Sequence, residues 1–322
     1  MKIGILITAV GSLSSNAIIT SLNKKGRYNV YGCDIYPAEW HAESLKYKEI
    51  FRVPAVIEKK EYIAKIFEIC IKHDIKYIFP LVDTEVDVYN LRRNEFAERG
   101  ITVCITGSKG LAVARDKHRM SNFFEDNPYF KVIPTLGPLT GDLKKLSFPY
   151  VAKPVNGRSS QGILYINDEN MLRYAMLKDN YIIQPYIKGD IYTVDYIRNS
   201  LTGTDFSFTR RELLRTSNGA GVTVHLVNDE ILSKAASYIG RTIDINGCIN
   251  FEFIKTDNCY YLTDINPRFS AGIAFTLIAG YDIVKNHLNC FKGYEIEIAP
   301  RYDEMIIAKS YTETIMVKNK IK

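Results

Sequence analysis

Hydrophobic and polar positions along the chain fall into two regimes. Up to about residue 106, short apolar runs alternate with helical patterns. Residues 3–7 read as a buried strand, 16–25 as a helix, and 30–34 as a second strand ending in Asp34. A helix near 61–73, a strand at 77–81, a helix near 85–99 and a strand at 102–105 continue the rhythm. Such alternation predicts a parallel sheet with helices on both faces. Glycines at 107 and 110 interrupt it, a helix is expected over 111–125, and the Pro-rich passage 128–149 reads as a link. Beyond the link strands take over, at 149–154, 181–189, 192–196, 206–211 and 222–226, with helices at 230–243 and from Gly272 to about Leu288.

The most informative pattern is Cys248 to Ser270. Ile249, Phe251 and Phe253 alternate with Asn250 and Glu252, which is the signature of a strand with one buried face. Thr256-Asp257-Asn258 supplies a turn, and the return strand runs from Tyr260 to Asn266. Alternation predicts Leu262, Asp264, Asn266 and Arg268 on one face, and a register centred near Asn258 sets Glu252 opposite Asp264. Two carboxylates and an amide oxygen suit Mg²⁺, which takes oxygen ligands and completes its shell with water and phosphate. Arg268 would present a planar fork to a phosphoryl oxygen. A solvated polar face is the alternative reading of the same alternation.

Bulk composition narrows the class without naming it. The chain has 322 residues, 46% hydrophobic and 24% charged, as in a globular protein of two or three domains. The net charge of +6 has no basic block, so nucleic acid is not expected as a partner. Six cysteines lack a C-x-x-C pair and sit mostly in apolar runs, which predicts reduced, buried thiols. No signal peptide and no run of about 20 apolar residues is present, so the expected location is cytoplasmic, away from membranes. The first strand is followed by a turn with one glycine, Gly11, where a dinucleotide fingerprint needs three.

Asp264-Ile265-Asn266-Pro267-Arg268 resembles the Glu-Ile-Asn-Pro-Arg signature of the ATP-grasp ligases, in particular the carbamoyl-phosphate-synthetase-like and carboxylate–amine branch. Asp264 stands where Glu is usual. The resemblance implies an α/β fold: a Rossmann-like parallel-sheet domain over 1–106, then a two-subdomain α+β ATP-grasp domain over 107–322, with a lid at about 115–187 and a catalytic subdomain at about 188–315. It implies Glu252, Asp264 and Asn266 as ligands of one or two Mg²⁺, with Mn²⁺ as an alternative. Arg268, Arg211 and Lys153 would act on the transferring phosphoryl group. Lys117 and Lys153 would reach the ATP phosphates, covered by a loop with Gly157, Ser159, Ser160 and Gly162, where Arg158 adds charge. Gln184, Tyr186 and Ile187 match the hinge on which adenine docks. The family's ribose-binding Glu is Ile191 here, leaving Asp190 as the substitute.

From this follows the expected activity: an ADP-forming ligase joining a small-molecule carboxylate to an amine through an acylphosphate, with a homodimer as a compatible assembly. A phosphotransferase or carboxy-phosphate enzyme on the same fold, and a non-catalytic ATP sensor or partner subunit, are the alternatives. In the N-terminal half, Asp83 and Glu85 at a strand's carboxyl end read equally as ligand-binding acids or as helix caps. His225 could touch nucleotide or acceptor, but alone on an apolar strand it reads first as a satisfied core residue.

Overall fold

The structure is a computed structural model and describes residues 2–135, 147–157, 161–257 and 259–316. Three sheets follow one another along the chain. The first has five parallel strands, and its central strand, Ile3–Thr8, pairs with Tyr28–Asp34 on one side and Ile75–Phe79 on the other. Ile5, Leu6 and Ile7 are fully buried because helices Ser15–Asn23 and Lys59–Lys72 cover the two faces. The predicted β/α alternation is present. The helix expected over 85–99 is two, Asp83–Leu91 and Arg93–Ala97.

A small sheet of Tyr150–Pro154, Leu164–Ile166 and Tyr181–Pro185 carries one helix, Glu169–Met176, and its own core of Tyr150, Ala152, Ile166, Leu172 and Ile183. A seven-stranded sheet forms the rest, with Asp190–Arg198 and Gly247–Lys255 at its centre. Helix Glu230–Thr242 covers one face through Leu232, Ala235 and Ile239, which meet Val194, Tyr196 and Phe251. The helix expected from 272 to 288 breaks into Ile273–Ile278 and Ile283–Lys292, separated by Gly280 at φ +92°.

His287 ties the first sheet to the third. Its Nδ1 accepts from the Cys248 N–H at 2.8 Å, which leaves Nε2 to donate to the Cys104 carbonyl at 3.2 Å. Burial pushes the imidazole down to about 3, so it stays neutral and this tautomer persists. All six thiols are free, and Cys259 alone is partly exposed. Among the described residues no helix is long and apolar enough to cross a membrane.

Candidate active site

The hairpin of Gly247–Lys255 and Tyr260–Asn266 pairs Glu252 with Asp264 and Asn250 with Asn266. Glu252 therefore faces Asp264, as the alternation predicts. One part of that reading is corrected. The register slips between Glu252 and Phe253, leaving Thr263 as an extra residue whose hydroxyl donates to the Glu252 carbonyl at 2.9 Å. This bulge reverses the parity of the return strand. Leu262 consequently packs with Ile265 in the core, and not beside Asp264. Asn258, in the predicted turn, lies outside the described residues.

Glu252, Asp264 and Asn266 each meet a cationic side chain. Lys117 Nζ lies 3.1 Å from Asp264 Oδ1 and donates to the Gly157 carbonyl at the same distance. Arg215 Nη2 bonds Glu252 Oε2. Arg268 reaches Asn266 Oδ1 at 3.3 Å, Asp83 Oδ2 at 3.0 Å and the Phe269 carbonyl at 3.1 Å. Lys117 does not sit inside a continuous helix, as 111–125 predicts. The helix stops at Ala114, Asp116 caps a new one through the Arg119 N–H, and Lys117 is its first residue. That break turns the side chain toward the hairpin.

Lys153 is the penultimate residue of its strand, on the face opposite buried Ala152. Burial and the neighbouring Lys117 lower its ammonium to about 8, opposed by Asp264 and Glu252. Burial likewise raises the Glu252 carboxyl, with Asp264 and Glu212 adding and Arg215 opposing. The small sheet's lysine is thus within the electrostatic reach of the hairpin acids. Gly162 has φ +72°, and a Cβ there would lie 2.6 Å from Tyr181 Oη, so the loop after Lys153 requires glycine at that point. Arg158, Ser159 and Ser160, the other expected loop residues, lie outside the described residues.

Gln184 and Tyr186 stand at the end of the small sheet and Ile187 follows. The Gln184 amide is buried, donating to the Ile133 carbonyl at 3.2 Å and to Thr135 Oγ1 at 3.0 Å. The Tyr186 N–H is taken by the Pro149 carbonyl at 3.0 Å, and its ring is exposed near Tyr165.

Two expected site residues fall on the wrong face. Arg211 pairs in register with Tyr192, whose ring packs on the Glu230–Thr242 side, and Asp190 shares that parity. The two form a half-exposed ion pair at 2.9 Å. Arg210, one residue earlier, enters the cleft instead. It is 2% exposed and bonds Asp195 at 2.7 Å, Glu212 at 3.1 Å and Ser270 at 3.2 Å. Gly272 makes room for it, since a Cβ there would lie 2.6 Å from the guanidinium. A signal for this was present: Phe206, Phe208 and Arg210 share parity, and the two phenylalanines are core. Removing Arg210 would strand two buried carboxylates, so Arg210→Met is expected to cost about 3–5 kcal/mol, read from denaturant melts. His225 is also not core: it is half-exposed, 3.9 Å from Glu304.

A polar cleft of about 370 Å³ lies between the first and third sheets, with Asp83, Arg210, Glu212, Arg215, Glu252, Asp264, Asn266 and Arg268 in its walls. Asp83 and Glu85 are not simple helix caps. Asp83 faces Arg268, and Glu85 accepts from Thr8 Oγ1 at 2.6 Å and Tyr62 Oη at 2.7 Å. Burial pushes Glu85 up from 4.5 to about 7, opposed by those hydrogen bonds. The folded state therefore keeps a proton that the unfolded chain releases between those values, and stability falls as pH rises through that window. Relative to Glu85→Gln, the wild-type chain should lose up to roughly 3 kcal/mol between pH 4.5 and 8 in urea melts.

Among the described residues no three His, Cys, Asp or Glu side chains cluster as a metal cage. The donor set nonetheless fits Mg²⁺, which uses few protein carboxylates and leaves positions for phosphate and water. Glu252, Asp264 and Asn266 already attract a cationic group apiece, which shows the potential a metal would meet.

Known proteins resemble both halves of the chain. Residues 178–314 match the family described as ATP-grasp in the biosynthetic pathway with Ter operon, and residues 5–104 match the PylC-like N-terminal domain. The carbamoyl phosphate synthase large chain of Clostridium beijerinckii is 25% identical over 213 residues, 59% of this chain. This chain spans only 20% of that relative's length. Biotin carboxylase from Campylobacter jejuni superposes with a TM-score of 0.75 at 16% identity, over 92% of this chain and 72% of that one. The L-amino acid ligase of Bacillus licheniformis gives 0.67 at 15% identity, over 90% and 74%. The chain thus carries an ATP-grasp domain behind a PylC-like N-terminal domain and has carbamoyl phosphate synthase-like homologues.

Proposed function

We propose that this chain is an ATP-dependent, ADP-forming ligase that joins a carboxylate to an amine. The observation that carries the reading is the meeting of Lys117, Glu252, Asp264, Asn266 and Arg268 around one hairpin, with Lys153 in the electrostatic reach of its acids. A carboxylate oxygen would attack the γ-phosphorus of ATP, the bond to the bridging oxygen would break, and ADP would leave. The amine would then attack the acyl carbon of the acylphosphate, lose a proton and expel phosphate. Glu252, Asp264 and Asn266 would hold Mg²⁺, which supplies charge neutralisation at the phosphates when bound. Lys117 and Lys153 would bind phosphate oxygens, and Arg268 would orient the moving phosphoryl group. Arg210, buried and held by Asp195 and Glu212, would take the place proposed for Arg211, since it lines the cleft beside Arg215 and Arg268. The small sheet carrying Lys153 would exclude water as it covers the nucleotide.

Positioning and electrostatics suffice for such chemistry, which needs no protein nucleophile. The test is ADP release from MgATP against pooled carboxylates and amines, with Asp264→Ala as control. Release that needs one acid and one amine, and is lost in the control, is expected. Release that proceeds without any amine would replace this reading with phosphotransfer.

A further inference from the structure

Strand Asp205–Arg215 ends at the polar cleft, and strand Gly221–Val227 leaves from it. Residues 216–220 turn the chain between them. The Thr216 N–H donates to the Ala220 carbonyl at 2.9 Å, the Gly219 N–H to the Thr216 carbonyl at 2.9 Å, and the Ala220 N–H to Thr216 Oγ1 at 3.0 Å. Gly219 has φ +85°, the left-handed backbone on which this turn closes. Asn218, Gly219, Ala220 and Gly221 all line the cleft.

Two contacts tie this turn to acids of the cleft. Arg215 Nε donates to the Gly219 carbonyl at 2.8 Å while Nη2 pairs with Glu252 Oε2, so one guanidinium holds both. Gly221 lies against Glu212, where a Cβ would come within 2.2 Å of Oε2. That oxygen is buried and has no hydrogen-bond partner among the described residues. Arg210 and Arg215, on the same strand, differ in how firmly they are held. Arg210 is 2% exposed and has Asp195, Glu212 and Ser270 around it. Among the described residues Glu252 is the one acid within 4 Å of Arg215, and 24% of the Arg215 side chain and 27% of that of Glu252 are open. A partly exposed pair of this kind is worth little and exchanges partners without unfolding the sheet.

We propose that Arg215 is a latch: it holds the 216–221 turn over the cleft acids, and a divalent cation arriving at Glu252 and Asp264 displaces it and frees the turn. The physical cause is competition for one carboxylate. Mg²⁺ draws its oxygen ligands to about 2.1 Å in a near-octahedral shell, and a guanidinium on the same carboxylate is repelled by the ion. Once Nη2 leaves Glu252, the Nε bond to Gly219 no longer ties the turn to the sheet, and Gly221 can move off Glu212. The latch rests on the assignment of Glu252 and Asp264 to the metal. It adds that metal occupancy and the position of one cleft wall form a single equilibrium.

The test uses the full chain without nucleotide, titrated with Mn²⁺ and read from the electron paramagnetic resonance signal of the free ion. Arg215→Gln should bind Mn²⁺ about tenfold more tightly than wild type, a gain that misfolding does not produce. Arg211→Gln removes the same charge from the other face of the strand and should change the affinity by less than about twofold. Glu252→Gln should weaken binding. Hydrogen exchange at the Gly219 and Ala220 amides supplies the second readout. Saturating Mg²⁺ should speed it by about tenfold in wild type, whereas in Arg215→Gln it should be fast before Mg²⁺ is added. Equal Mn²⁺ affinity in wild type and Arg215→Gln, an equal gain in Arg211→Gln, or exchange that Mg²⁺ slows or leaves unchanged would overturn the latch alone. The metal assignment fails separately: wild type and Glu252→Gln would then bind Mn²⁺ alike, and the latch would fall with it.

Discussion

Glu252→Gln should reduce ATP turnover by about 10³-fold or more while leaving the chain as stable as before, or slightly more so. The catalytic loss follows from removing one of two carboxylates that face each other across the hairpin, since metal charge stabilisation contributes several kcal/mol and each 1.4 kcal/mol is a factor of ten. Stability behaves differently because burial already raises the Glu252 carboxyl, so its charge is held against a desolvation cost. Glutamine keeps the shape and an oxygen for Arg215, and removes that cost. The Mg²⁺ concentration needed for half-maximal turnover should rise as well. Asp264→Ala should lose turnover equally, but should also free Lys117, whose ammonium is nearly buried against that acid. Turnover by Glu252→Gln within tenfold of wild type would remove the hairpin from the metal site.

The second large effect is expected at Arg268. Its three nitrogens serve three acceptors, Asp83, Asn266 and the Phe269 carbonyl, so it orients a proposed metal ligand and joins the first sheet to the third. Arg268→Ala should lower kcat by about 10²–10³-fold, the loss seen when one donor to developing charge is removed. It should also destabilise the chain by up to about 3 kcal/mol, because Asp83 is 2% exposed and depends on its cationic neighbours. Arg115, 3.6 Å from Asp83 on the other side, limits that figure. Arg268→Lys keeps a charge but cannot serve three directions at once, and should recover less than a tenth of the lost rate. Matched kcat and melting values for the two variants separate the roles. Full recovery by lysine would mean that charge alone matters there.

Local pattern carried much of this. The pairing of Glu252 with Asp264 was legible because apolar and polar residues alternate on the first arm before a short turn, and a slip of one residue there would bury Glu252 and expose Phe251 and Phe253. The β/α rhythm of the first hundred residues was legible for the same reason, each element being stated by its own neighbours. The helix over 111–125 was misread because Arg115-Asp116 looks helical by pattern, while Asp116 in fact begins a new helix.

What tertiary structure alone decided is what depends on residues far apart in the chain or on a single inserted residue. The bulge at Thr263 adds one residue to an arm and changes which side chains share a face, and no propensity marks it. Asp83 and Arg268 are 185 positions apart, and their pairing exists only because two sheets are brought together. Arg210 and Arg211 are chemically equal neighbours. The sheet's two different coverings, a helix behind and the cleft in front, determine which one enters the cleft.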